Sequence, residues 1–156
     1  MAAFVDLSKN YSFFSIPAAF FISVIPGAYS SYLAGENNDF AYPRQLQERV
    51  KSDDTMDKAI KNRILRSQAA AANAVETMPL YVGSVLAANI AGVPARTINV
   101  LAAAYLASRI AYTITYVWLQ ENRKLVPVRT LVWNVGVACW MTLFIKSGNK
   151  MLQATS

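Results

Sequence analysis

Three groups of polar side chains recur at helical spacing inside otherwise apolar stretches. In 66–81, RSQAAAANAVETMPLY, Arg66 and Asn73 are seven residues apart, about 20° from eclipsed on a helix, and Glu76 lies about a turn further along the same side. Tyr105, Arg109, Tyr112 and Tyr116 follow at intervals of four, three and four, which builds one helical face. A third stretch opens with Pro127, Arg129, Thr130 and Trp133. Guanidiniums, phenol donors and a single carboxylate together suit a small, multiply charged, zwitterionic ligand that enters from the aqueous side.

Other chemistries are excluded by composition. The chain has no histidine, which removes serine triads, Cys–His nucleophiles and nearly all zinc sites, so no metal centre is expected. Its single cysteine, Cys139, sits in an apolar run and has no intrachain disulfide partner. The net charge is +6, but the basic residues are mixed with acids in one connection or stand singly inside apolar runs. That pattern is not the basic face of a nucleic-acid binder, and no nucleic-acid partner is expected.

The elements that must position these groups are membrane helices. Of 156 residues, 54% are hydrophobic and only 15% charged, against roughly 25% charged in a soluble domain. The predicted architecture is an all-α integral membrane domain over 1–156, with four spans at about 11–33, 64–91, 97–119 and 126–145. Residues 1–10 lack the basic leader of a secretory signal, so the first span is read as uncleaved, bent at Pro17 and Pro26. Between the first two spans, 35–63 is polar: Asn37, Asn38 and Asp39 form a turn, and Pro43 stops the preceding helix. Ser52, Asp53 and Asp54 would then cap a short amphipathic helix running through Lys61 into the second span. Gly92, Val93 and Pro94 form a tight turn, and 120–124 a short polar link. Ten Lys and Arg residues border the first and third connections, while Lys9, Arg96, Lys146 and Lys150 lie on the opposite side. This asymmetry puts 35–63 and 120–125 in the cytosol and both termini across the membrane.

Depth links the stripes. Glu76 and Arg109 each lie ten residues from a cytosolic helix end, about 15 Å down at 1.5 Å per residue. A charge in hydrocarbon costs at least roughly 2.5–3.5 kcal/mol and needs a partner, so the two are expected to be close, directly or through a ligand. A pair that only fixes helix packing also accounts for these two, but not for Arg66, Arg129 and the tyrosines. Tyr112 and Tyr116 also fit an interfacial aromatic belt.

RSQAAAANAVETMPLY in the second span, AAYLASRIAYTITY in the third and VPVRTLVWNVG opening the fourth together resemble the membrane-associated proteins in eicosanoid and glutathione metabolism, the MAPEG family. The whole chain looks most like the small fungal members. The resemblance implies a homotrimer of four-helix subunits in endoplasmic-reticulum or related membranes. It also implies glutathione bound between neighbouring subunits near the cytosolic side, and a lipophilic substrate arriving from the bilayer. By position, Arg66, Asn73, Glu76, Arg109, Tyr112 and Tyr116 match the family's polar positions on the second and third helices and would hold the tripeptide. Arg129 matches the arginine implicated in activating its thiol, and Thr130 falls where some members carry Ser. Two positions depart: Ala71 stands where many members have His, and Thr77 where some have Tyr.

The leading expectation is therefore a glutathione-dependent transferase, peroxidase or isomerase acting on a lipophilic electrophile, with Arg129 stabilising the thiolate. One rival keeps the fold without the cofactor, with desolvated Glu76 as general acid or base isomerising or cyclising a hydrophobic terpenoid or polyketide. Another is a non-catalytic scaffold that presents lipid to a second enzyme.

Overall fold

A computed structural model of the chain describes Asp6 and residues 8–154, and among these every regular element is a helix. Residues 1–5 and Leu7, on which part of the leader reading rests, lie outside the described residues. The long helices are α1 (Ser15–Ala34), α3 (Lys58–Ile90), α4 (Ala95–Val117) and α5 (Val126–Ala154), with a short α2 (Leu46–Ser52) between the first two. Successive long helices run antiparallel. Ser15 meets Tyr81 and Gly27 meets Ala71 across α1 and α3, while Arg109 reaches Trp133 across α4 and α5. Helices α3 and α4 each contact all three other long helices, so the bundle closes around this pair.

The core follows from where small and aromatic residues recur. Tyr81, Val85 and Ala88 of α3, Ile98, Ala102 and Tyr105 of α4, and Cys139 and Leu143 of α5 form the main cluster, on which Ala19 of α1 packs. Tyr81 and Tyr105 stack with centroids 3.8 Å apart and planes 6° from parallel. The α3–α4 turn is set by Gly92, whose φ of 69° is a left-handed conformation that costs glycine nothing. There the Val93 amide donates to the Ala88 carbonyl at 2.9 Å, closing the end of α3.

Three helical stretches among the described residues, Ser12–Asn37, Ala95–Val117 and Arg123–Ala154, are long and apolar enough to cross a membrane. Helix α3, expected as the second span, is long enough at 33 residues, but its polar side chains keep it below that hydropathy. Only Pro26 lies in the interior of α1; Pro17 sits in its first turn, where no backbone donor is needed, and so is no source of a bend. The cap of α3 is Asp57, whose carboxylate accepts from the Ala59 and Ile60 amides at 3.0 and 3.1 Å. Asp53 instead ties the connection together, accepting from Asn37 and from the Thr55 side chain and backbone. Those donors hold its carboxyl down to about 2. Helix α2 was not expected; Leu46 and Val50 bury its inner face against Ala34 and Ile64.

Candidate functional site

A cleft of about 450 Å³ opens between α3, α4 and α5, within the range of small-ligand sites. From α3 come Ala69, Ala72, Asn73 and Glu76, spaced so that one helical face supplies all four. From α4 come Tyr112 and Tyr116, and from the first turns of α5 come Arg129, Thr130 and Trp133. The two alanines leave the volume, and the long polar side chains line it.

The wall is ordered by a few specific contacts. The Arg129 guanidinium lies 4.7 Å from the centroid of the Tyr116 ring, a cation–π contact that fixes its position without neutralising it. Tyr116 and Tyr112 are 5.7 Å apart, centroid to centroid. Trp133 donates its indole N–H to the Asn73 side-chain oxygen Oδ1 at 3.1 Å, joining α5 to α3 across the cleft. Thr130 donates to the Val126 carbonyl at 3.4 Å within its own helix, so its oxygen can still accept. Among the described residues neither Arg129 nor Glu76 forms an ion pair. The cleft therefore presents one uncompensated cation and one uncompensated anion.

Six of the eight expected site residues meet here: Asn73, Glu76, Tyr112, Tyr116, Arg129 and Thr130. Two do not line it. Arg66 donates through Nε to the Val117 carbonyl at 3.2 Å and through Nη2 to Glu121 at 3.1 Å, which pins the start of α3 to the α4–α5 link. Arg63 reaches the same carboxylate oxygen at 3.1 Å, and these donors hold the Glu121 carboxyl below the usual range. Arg109 is 4% exposed and lies inside the bundle. It donates to the Trp133 carbonyl at 3.1 Å and sits 5.5 and 5.3 Å from the ring centroids of Tyr105 and Tyr112.

Glu76 and Arg109, expected to be close directly or through a ligand, form no direct ion pair among the described residues. Their matched level is right, because the Arg66–Val117 and Tyr81–Tyr105 contacts bracket both residues between α3 and α4. The direction differs: Glu76 is exposed on the cleft, while Arg109 turns inward toward α5. Tyr112, against which Arg109 packs, lines both the cleft and the small cavity around Arg109.

The two departures also fall away from the cleft. Ala71 faces α1, where a side-chain carbon on Gly27 would lie 3.6 Å from its Cβ. Thr77 bonds back to the Asn73 carbonyl at 3.0 Å. Sequence reading missed Glu121 and Gly136 as organising residues. Ala69 and Ala72 carried a usable signal, since with Asn73 and Glu76 they follow an i, i+3, i+4, i+7 stripe.

This polar cleft, set in a bundle of apolar helices, agrees with the comparison by family, in which the MAPEG family model matches residues 12–149. The chain belongs to the MAPEG family. No curated protein and no solved structure matches it. As a MAPEG protein it is an integral membrane protein of the glutathione and eicosanoid metabolism type, in a family that includes glutathione transferases, isomerases and synthases.

Proposed function

We propose that this MAPEG protein is an enzyme that binds glutathione in the α3–α4–α5 cleft and turns it on a lipophilic electrophile, in transfer, reduction or isomerisation. The observation that carries this reading is the placement of unpaired Arg129 and unpaired Glu76 on one open cleft. The donor set fits the tripeptide. Glu76 suits its ammonium, the phenols of Tyr112 and Tyr116 and the Asn73 amide suit its carboxylate and peptide groups, and Arg129 suits an ionised sulfur.

Bound glutathione supplies a thiol nucleophile. An ordinary thiol near pKa 8.5 is only a few per cent ionised at pH 7, and a two-unit drop, roughly 2.7 kcal/mol, makes the anion dominant. A guanidinium at about 4 Å contributes roughly 4 kcal/mol at an effective dielectric of 20, which is sufficient. Arg129 has that role, and Thr130 adds a hydroxyl hydrogen bond to the sulfur once its proton turns from the Val126 carbonyl. Arg109 acts from behind the cleft wall, and Arg66 from its cytosolic edge.

The same cleft supports α3 as the fourth span in a homotrimer, the common assembly of the family. A carboxylate exposed at mid-membrane depth is costly against lipid, so the open face of α3 at Ala69, Ala72 and Glu76 is covered by a neighbouring subunit. The excess of Lys and Arg in 35–63 and 120–125 orients those connections to the cytosol and the termini to the lumen of the endoplasmic reticulum. Substrate enters the cleft from the bilayer.

Titration calorimetry of the purified protein with glutathione tests the reading: saturable binding that weakens in Arg129→Ala is expected, and no binding contradicts it. The unpaired Glu76 also supports a second reading, a glutathione-independent isomerase or cyclase of a hydrophobic metabolite. Turnover that survives glutathione depletion and is lost in Glu76→Gln would favour that alternative.

A further inference from the structure

Arg109 is a buried guanidinium on a helix whose neighbour would ordinarily have no room for it. The room comes from Gly136. A Cβ at that position would collide with Arg109 Nη2 and lie 2.8 Å from Ser108 Oγ and 2.9 Å from Arg109 Cζ, closer than real Cβ contacts allow. Glycine also costs roughly 1 kcal/mol relative to alanine inside a helix, so the missing side chain has a packing reason. Through the gap the Arg109 side chain crosses from α4 to α5 and donates to the Trp133 carbonyl, while its Nε lies 3.4 Å from Ser108 Oγ. The side chain of Trp133 in turn holds Asn73.

These contacts form one chain of positions: Gly136 to Arg109, Arg109 to the Trp133 backbone, and the Trp133 indole to Asn73 on the cleft. Arg129 stands about one turn before Trp133 on the same helix, so the backbone that Arg109 grips also carries the cleft's cation. We propose that Gly136 and Arg109 are a positioning pair, in which the guanidinium seated over the glycine sets the rotation of α5 and so aims Trp133 and Arg129 into the cleft. The proposal rests on the cleft being the binding site; Arg109 itself touches no ligand.

The test uses the full-length protein with Trp118→Phe and Trp140→Phe, leaving Trp133 as the sole tryptophan. Its emission and acrylamide quenching need no ligand. Gly136→Ala should shift the Trp133 emission and raise its quenching, and Arg109→Met should do the same. The two combined should give no more than either alone, because both break one link. Gly148→Ala, on the same helix with nothing within 4 Å of the added carbon, should leave Trp133 unchanged.

Glutathione affinity should follow, falling about tenfold to a hundredfold in Gly136→Ala, as misplacement of a binding group does. If Gly136→Ala does not fold, Arg109→Lys leaves the glycine gap intact but shortens the reach, and the same emission shift is expected. An unchanged Trp133 signal in folded Gly136→Ala or Arg109→Lys, or effects that simply add, would overturn the proposal. Absence of glutathione binding in the parent protein would instead count against the functional reading and leave the fluorescence result to decide this one.

Discussion

Arg109 and Arg129 carry the same guanidinium a short distance apart, and the bundle uses them in opposite ways. Arg109 is committed: a backbone carbonyl, a hydroxyl and two aromatic faces surround it. Arg129 touches one ring, of Tyr116, and faces an open cleft whose only carboxylate, Glu76, does not pair with it. A cation enclosed by several partners inside the protein organises structure, and one left facing an open cleft is available to a ligand. The small residue opposite each side chain makes the difference, since Gly136 opens a seat in the core and Ala69 and Ala72 open the cleft.

The sharpest way to break this contrast is to remove the two guanidiniums separately. Arg129→Ala should cut glutathione-dependent turnover by about a hundredfold or more, the scale of losing a charge-stabilising donor, and leave thermal unfolding unchanged. If Arg129→Ala instead unfolded the protein while activity per folded molecule persisted, the assignment of roles would be reversed.

A smaller effect is expected from the other pole of the cleft. Glu76→Gln should weaken glutathione binding by about tenfold to a hundredfold, the range of a charge-assisted hydrogen bond worth roughly 1.5–3 kcal/mol. N-acetylated glutathione, which lacks the ammonium, should bind the parent protein and Glu76→Gln alike in calorimetry. Unequal binding would show that Glu76 meets some other part of the ligand.

Ala71→His asks whether the departure from the frequent family residue matters to chemistry or to packing. Because Ala71 faces Gly27, the larger ring should lower stability by about 1–3 kcal/mol through overpacking, without raising activity. A gain in turnover at unchanged stability would move position 71 into the site.

The smallest effect concerns acid. Glu121, held down by Arg63 and Arg66, and Asp53, held down to about 2 by Thr55 and Asn37, both have folded values below their unfolded ones. Each therefore contributes stability that is present above the ordinary carboxylate range and is lost as pH falls through the depressed value. Thermal scans at decreasing pH should show a modest decline that Glu121→Gln reduces. Both groups are exposed, so solvent screening keeps the effect small.

How much of this was legible in the sequence depends on the kind of information required. Helix periodicity and length gave the level of each residue: Glu76 and Arg109 do lie at one depth. Rotation about the helix axes was not legible, because it depends on which small residues let helices approach, and nothing local in the sequence marks Gly136 as the seat of Arg109. That Arg66 stands off the cleft was not legible for a related reason. Its partner, Glu121, lies in a short link whose folding back over α3 is a tertiary event. The start of α3 was misassigned because 52–57 offers several acids with capping chemistry. Asp57 won because Asp53 is already engaged by Asn37 and Thr55.

The central claim is that the cleft beside Arg129 is the glutathione site, and a density map of the purified protein with glutathione added tests it most directly. The expected result is a tripeptide in the α3–α4–α5 cleft with its sulfur beside Arg129 and its ammonium beside Glu76. A cleft empty at saturating glutathione, or a tripeptide bound with its sulfur remote from Arg129, would contradict the claim.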